Sequence, residues 1–174
     1  MRKQKGFSLI ELLIVVAIIL IIAAIAVPSL LRSKMLANES AAASTIRTLN
    51  TAESTYQSTY GIGFAAQITN LGGAVPCTAT STTACLIDET LSTATPGKKQ
   101  GFQYTAVGTG GGGTASSPIL DFVSSANPIV VGTSGNRRFC SSSDFVIRFD
   151  TTAPGTNVAT PSACRTGENV LQNN

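Results

Sequence analysis

Apolar and polar positions divide the chain into three stretches. From Leu12 to Val27 no residue is polar or charged. Counted from Phe7 to Leu31, the apolar stretch has 25 residues, roughly 37 Å of helix at 1.5 Å per residue. A bilayer core is about 30 Å thick, so this stretch predicts a tilted membrane span. From 32 to 60 no helix breaker follows Pro28, and Ala42, Ile46, Leu49, Tyr56 and Tyr60 recur at spacings of 4, 3, 7 and 4. That is one helical face, with Glu53 on the same stripe, and it predicts an amphipathic continuation of the apolar helix to about Tyr60.

Beyond Gly61 the period changes. Phe102, Tyr104 and Ala106 alternate with Gln103 and Thr105. Phe145, Ile147 and Phe149 alternate with Val146, Arg148 and Asp150, the clearest two-residue period in the chain. Ile119–Ser124 and Arg137–Ser141 are two more strand candidates, and Ser142-Ser143-Asp144 can turn the latter into the next strand as a hairpin. Cys85–Leu91 is long enough for a helical turn. The expected fold is α+β: a long N-terminal helix whose amphipathic half covers the apolar face of a sheet of about four antiparallel strands.

Charge fixes an orientation. Three of the twelve basic residues, Arg2, Lys3 and Lys5, precede Phe7. A cationic leader places the N-terminus in the cytoplasm and the remainder outside, although Arg32 and Lys34 oppose that bias mildly. Without the leader, nine basic residues face nine acidic ones, so charge does not indicate a nucleic-acid-binding domain. The chain has no histidine, which excludes Ser-His-Asp and Cys-His catalysis and every histidine metal site. A cleaved secretory signal is the competing reading of the apolar run. Val27-Pro28 follows the only small-residue pattern, Ala24-Ile25-Ala26, and a polar region before the cut is missing.

One carboxylate, Glu11, stands inside the apolar run. An acidic side chain at a membrane-helix centre costs about 2.5–3.5 kcal/mol, so the charge requires an explanation. Ser8-Leu9-Ile10-Glu11 forms an S-x-x-E capping box, and an acid in the first turn complements the helix dipole. Alternatively its partner is a cation on another chain, and the charge drives assembly. The two readings are compatible.

Gly6-Phe7-Ser8-Leu9-Ile10-Glu11-Leu12-Leu13 after a short basic leader, followed by an apolar helix reaching Pro28, resembles the type IV prepilins and related pseudopilins. The resemblance covers residues 1–31. It implies that a prepilin peptidase of the membrane cuts between Gly6 and Phe7 and that the new Phe7 amine is methylated. It also implies that Glu11 meets the N-terminal amine of a neighbouring subunit, so that processing creates the missing cation. Many relatives carry a glycine in mid-helix and unwind between it and the proline on entering a filament. Here Leu20 stands at that position, and Pro28 is present with no N–H to offer the carbonyl of Ala24.

The resemblance therefore divides the chain into a leader (1–6), a transmembrane and filament-core helix segment (7–31), its amphipathic continuation (32–60) and an exported β domain (61–174). The expected product is a structural subunit that is not an enzyme and carries no cofactor. It would stand in the inner membrane before assembly and in an extracellular type IV pilus afterwards, serving adhesion, twitching or DNA uptake. Its partners would be copies of itself, the peptidase, the ATP-driven assembly machinery and, at the surface, DNA or other ligands. A secretion pseudopilin or minor pilin is the alternative, and a monomeric membrane-tethered domain is a second.

Four cysteines on the exported side suggest two disulfides. Three connectivities are possible, of which pairing sequence neighbours, Cys77 with Cys85 and Cys140 with Cys164, is favoured. Neither pair has metal-site CxxC spacing, and no dense acidic loop suggests calcium. Gly108-Thr109-Gly110-Gly111-Gly112-Gly113 lacks the Lys-Ser/Thr that ends a phosphate loop, so a hairpin connection is expected. Tyr56 and Tyr60 read as core packing rather than a conduction path. Lys98-Lys99 and Arg137-Arg138 are ordinary solvated pairs on residue type alone. Because relatives bind DNA, Arg137 and Arg138 are the candidates for that contact.

Overall fold

The computed structural model describes residues 8–94, 96–167 and 169–170. Helix α1 runs Leu9–Tyr60 and is continuous through Pro28. The chain divides into two units, Met1–Lys34 and Met35–Asn174. In the first, α1 opens at Ser8, whose carbonyl accepts the N–H groups of Glu11 (3.1 Å) and Leu12 (3.3 Å). Its most apolar 18-residue stretch is long and apolar enough to cross a membrane and contains no buried residue.

In the second unit, α1 has one buried face. Glu39, Ala42, Ala43, Ile46, Leu49, Ala52, Glu53 and Tyr56 are buried, with Tyr60 packed at the margin, which is the expected stripe extended back by one turn. The helix stops at Gly61, which takes the left-handed conformation (φ +65°) and donates its N–H to the carbonyl of Gln57 at 3.1 Å. A residue with a Cβ is strained there, so glycine makes the stop sharp.

Two short helices, α2 (Ile68–Leu71) and α3 (Glu89–Ser92), precede the sheet. The helical turn expected over Cys85–Leu91 begins only at Glu89. Cys85 itself has φ +58°, and the Asp88 carboxylate caps the helix by accepting the Leu91 N–H at 3.2 Å.

Among the described residues, six strands follow in one antiparallel sheet whose spatial order is the chain order: β1 (Gly97–Lys99), β2 (Phe102–Thr109), β3 (Asp121–Pro128), β4 (Arg138–Ser142), β5 (Arg148–Asp150) and β6 (Asn169–Val170). The sequence pattern indicates four. The two additional strands lie at the edges and have three and two residues, too few to show a period. Register sets Tyr104 opposite Ala126 and Phe102 opposite Pro128, and Ala126 opposite Phe139. Phe102, Tyr104, Ala106, Ala126 and Phe139 thus join Ala42, Ile46 and Leu49 in the main core.

The strand expected to start at Phe145 begins three residues later. Asp144 holds a turn by accepting the N–H of Val146 (3.1 Å) and the hydroxyl of Ser142 (3.0 Å). Phe145 enters that turn with φ +58° and is 42% exposed. Turn chemistry overrides the alternation there.

Both faces of the sheet's centre are covered. Every residue of β3 after Asp121 is buried. Its second face meets the C-terminal segment, where Val123 and Cys140 pack on Val158 and Cys164. Helix α4 (Pro161–Gly167) carries Cys164, which is bonded to Cys140, and Cys77 is bonded to Cys85. The glycine run ends β2 and turns into β3, with the N–H of Gly112 donated to the carbonyl of Ser117 at 2.9 Å.

Candidate functional site: an uncovered helix and a braced domain

Gly6 and Phe7, the expected cleavage and methylation positions, lie outside the described residues. The first turn of α1 is described. The Glu11 carboxylate reaches back and accepts the Ser8 backbone N–H at 3.1 Å. This is the returning half of a capping box, and it satisfies a donor that the helix itself leaves free. The local role of Glu11 is therefore built into a single chain. Glu11 is exposed and a carboxylate has further lone pairs, so capping does not exhaust its capacity to accept.

Around it, Leu9, Leu12, Leu13, Ile18, Leu20 and Ile21 are each more than half exposed. Leu9, Leu12, Leu13, Val16, Ala17 and Leu20 line a shallow apolar groove along one side. A helix that is apolar all round requires lipid or protein on every side. Leaving it in water costs about 25 cal/mol for each Å² of apolar surface. Chemically, this region can insert, pack and pair one charge.

The domain has the opposite character, and several of its charged groups are held internally. The buried Glu39 carboxylate accepts the N–H groups of Asn136 (2.7 Å) and Arg137 (3.2 Å) and pairs with Arg137 Nε at 2.7 Å. The Arg137 guanidinium also lies 5.5 Å from the centre of the Phe149 ring. Arg138 pairs with Asp150 at 2.9 Å and donates to Thr156. Both candidate DNA-contact arginines are thus engaged by carboxylates of their own chain, bracing β4 against α1 and the C-terminal segment.

Arg165 of α4 holds both oxygens of Asp121 at 2.8–2.9 Å and donates to the hydroxyls of Ser142 and Ser143. Glu53 accepts the Ala65 N–H at 2.8 Å, which anchors the chain just after the helix. Burial pushes its pKa up to about 8, against the opposing pull of that N–H. Tyr56 donates its hydroxyl to the carbonyl of Ser81 at 2.5 Å and stacks obliquely on Tyr60. It therefore ties the Cys77–Cys85 loop to the helix.

Glu39 and Arg165 were not singled out by their sequence context. Glu39 was within reach: it lies one turn before Ala42 and Ala43 on the buried stripe, and a buried charge demands a partner. Arg165 had no such signal, since its partner Asp121 lies 44 residues away.

Residues 1–27 match the prokaryotic N-terminal methylation motif. Over 39 residues the chain is 59% identical to the type IV wide pilus major component PilA4 of Thermus thermophilus. That match covers 22% of this chain and 30% of the relative. No solved structure matches the chain.

Proposed function

We propose that this chain, whose N-terminal segment is that of a type IV pilin, is a structural subunit of a type IV pilus. The observation that carries the reading is the methylation motif joined to an apolar helix that nothing in the described chain covers. A helix of that kind must be sheathed first by lipid and then by copies of itself. That its relative is a major component of a pilus supports a filament subunit over a lone tether.

In this reading the prepilin peptidase removes residues 1–6, the Phe7 amine is methylated, and the chain waits in the inner membrane with its N-terminus in the cytoplasm. Assembly machinery driven by ATP then extracts it. Burial of residues 7–31 against neighbours replaces burial in lipid, so extraction exposes little apolar surface to water. Glu11 keeps its hold on the Ser8 N–H and takes the Phe7 amine of an adjoining copy as its cation. Arg137 and Arg138 serve inside the subunit, and DNA contact forms no part of the proposal.

Two measurements test this. Mass spectrometry of the native protein should find a methylated Phe7 at the N-terminus, and an intact Met1 would sink the reading. Glu11→Gln removes the charge while leaving an amide oxygen able to cap. The variant should insert and be processed, and its filament yield should fall about tenfold or more, the scale of 1.4 kcal/mol or greater at a desolvated charge pair. Normal yield would leave Glu11 as a cap and nothing else.

A further inference from the structure

The turn between β3 and β4 carries three consecutive exposed apolar residues: Ile129 (47%), Val130 (52%) and Val131 (50%). From Ile129 to Asn136 there is no charged residue. The turn is held in shape from within. The N–H groups of Thr133 and Ser134 donate to the Val130 carbonyl at 3.2 and 2.8 Å, and that of Gly132 donates to Gly135 at 3.1 Å. The Ile129 N–H donates to Gly101 at 2.9 Å.

The turn is also fastened to the start of the domain's part of α1. Asn38 donates its amide to the carbonyl of Ser134 at 3.1 Å, and Glu39 accepts from Asn136 and Arg137. Leu36, two residues before Asn38, is 59% exposed. A run of apolar side chains so exposed and so firmly positioned marks a contact surface.

We propose that this turn rests in the headgroup layer of the bilayer that holds the chain before assembly. Its occupant is lipid, and the inference rests on the membrane-anchored precursor proposed above. Connectivity selects lipid. The apolar run ends at Leu31, seven residues before Asn38, and seven residues of helix rise only about 10 Å. A headgroup layer is about 5–8 Å deep, so along α1 Asn38 and the turn fastened to it begin only a few Å beyond the layer's outer edge.

Two further features suit that location. Arg32 and Lys34 fall in the connecting stretch, where long basic side chains can lay their stems on apolar surface and reach headgroup phosphates. The turn is aliphatic and uncharged, and its backbone bonds are largely satisfied internally, which lowers the cost of losing water. Anchored at two points, the domain would be restrained over the membrane rather than swinging from a single helix.

The absence of tryptophan from the chain makes a direct test available. Single-tryptophan variants of the full chain, reconstituted in bilayers containing phosphatidylglycerol, are read by fluorescence quenching with nitroxides placed at the headgroup or deep in the acyl chains. Val130→Trp should be quenched by the headgroup label about twofold or more above Val75→Trp, consistent with the preference of tryptophan for the interface. Val75 is a fair reference. It is 80% exposed and lies two residues before Cys77, whose loop is tied to Tyr56. Tyr56 is 18 residues beyond Asn38 on α1, roughly 27 Å of helix.

Leu20→Trp separates the two readings and should be quenched by the deep label. If Leu20→Trp is unquenched, the anchored precursor fails and this inference fails with it. If Leu20→Trp is quenched while Val130→Trp behaves like Val75→Trp, only the headgroup contact is overturned. Shielding of Val130→Trp that rises with protein density at fixed lipid composition would assign the turn to a second copy, which also overturns it.

Discussion

Residues 9–31 and residues 35–170 solve the problem of apolar surface in opposite ways. In the domain, β3 is buried on both faces, by α1 on one side and the C-terminal segment on the other, and the buried carboxylates of Glu39 and Asp150 are paired with arginines of the same chain. In the N-terminal stretch, apolar side chains stand exposed, and among the described residues Glu11 bonds only to its own helix start. The domain's stability can therefore be its own, while the N-terminal helix depends on surroundings the chain must find. One polypeptide thus carries a finished fold and an unfinished interface, the composition expected of a subunit.

The sharpest way to break this comparison is to make one substitution on each side. Ile46 is fully buried and Ile18 is 52% exposed. Ile46→Ala should cost the domain about 2–5 kcal/mol, as large-to-small core changes do, and lower its urea midpoint accordingly. Ile18→Ala in the same detergent-solubilised protein should leave that midpoint unchanged. Equal effects would mean that the two regions fold as one.

Next in size is the disulfide that holds the second cover. Cys140 and Cys164 are separated by 24 residues, and a closed loop of that size is worth about 3 kcal/mol by restriction of the unfolded chain. Cys164→Ser should lower the denaturation midpoint by that order. Measured under reducing conditions, the difference from the parent should vanish.

The last contrast is read through pH. Glu53 binds its proton up to about pH 8 in the folded chain but releases it near the ordinary carboxylate value, 4.5, when unfolded. Between those values the folded state holds more protons, so stability falls as pH rises from about 4.5 to about 8. Glu53→Gln keeps an oxygen for the Ala65 N–H and abolishes this slope. Its melting temperature relative to the parent should rise steadily from pH 5 to pH 8. A constant offset would show that Glu53 is not the responsible group.

How much of this could be read from residues depended on the range of the forces involved. The apolar run, the helix stripe through Ile46, Leu49 and Tyr56, and the alternation of Phe102, Tyr104 and Ala106 are local repeats, and each appears in the structure. The start of β5 was misread because Asp144 and Ser142 create a turn stronger than the alternation of Phe145 with Ile147. The edge strands were too short to leave a pattern. The second cover of the sheet was hidden for a different reason. Ser125, Asn127 and Ser142 look like solvent-facing residues, yet they are buried beneath a segment brought from far along the chain. At the N-terminus, Ser8 and Glu11 are three residues apart, so the capping bond was legible. Any cation from a neighbouring copy lies outside what one chain can display.

The cystine joining β4 to α4 has a further consequence. Proteases attack exposed loops first, and residues 151–157 form such a loop. Because that loop lies between Cys140 and Cys164, a single scission there leaves both fragments attached through sulfur. A nicked copy would still hold its tail in place, and a worn outer surface would shed nothing until a second cut or a reductant arrived.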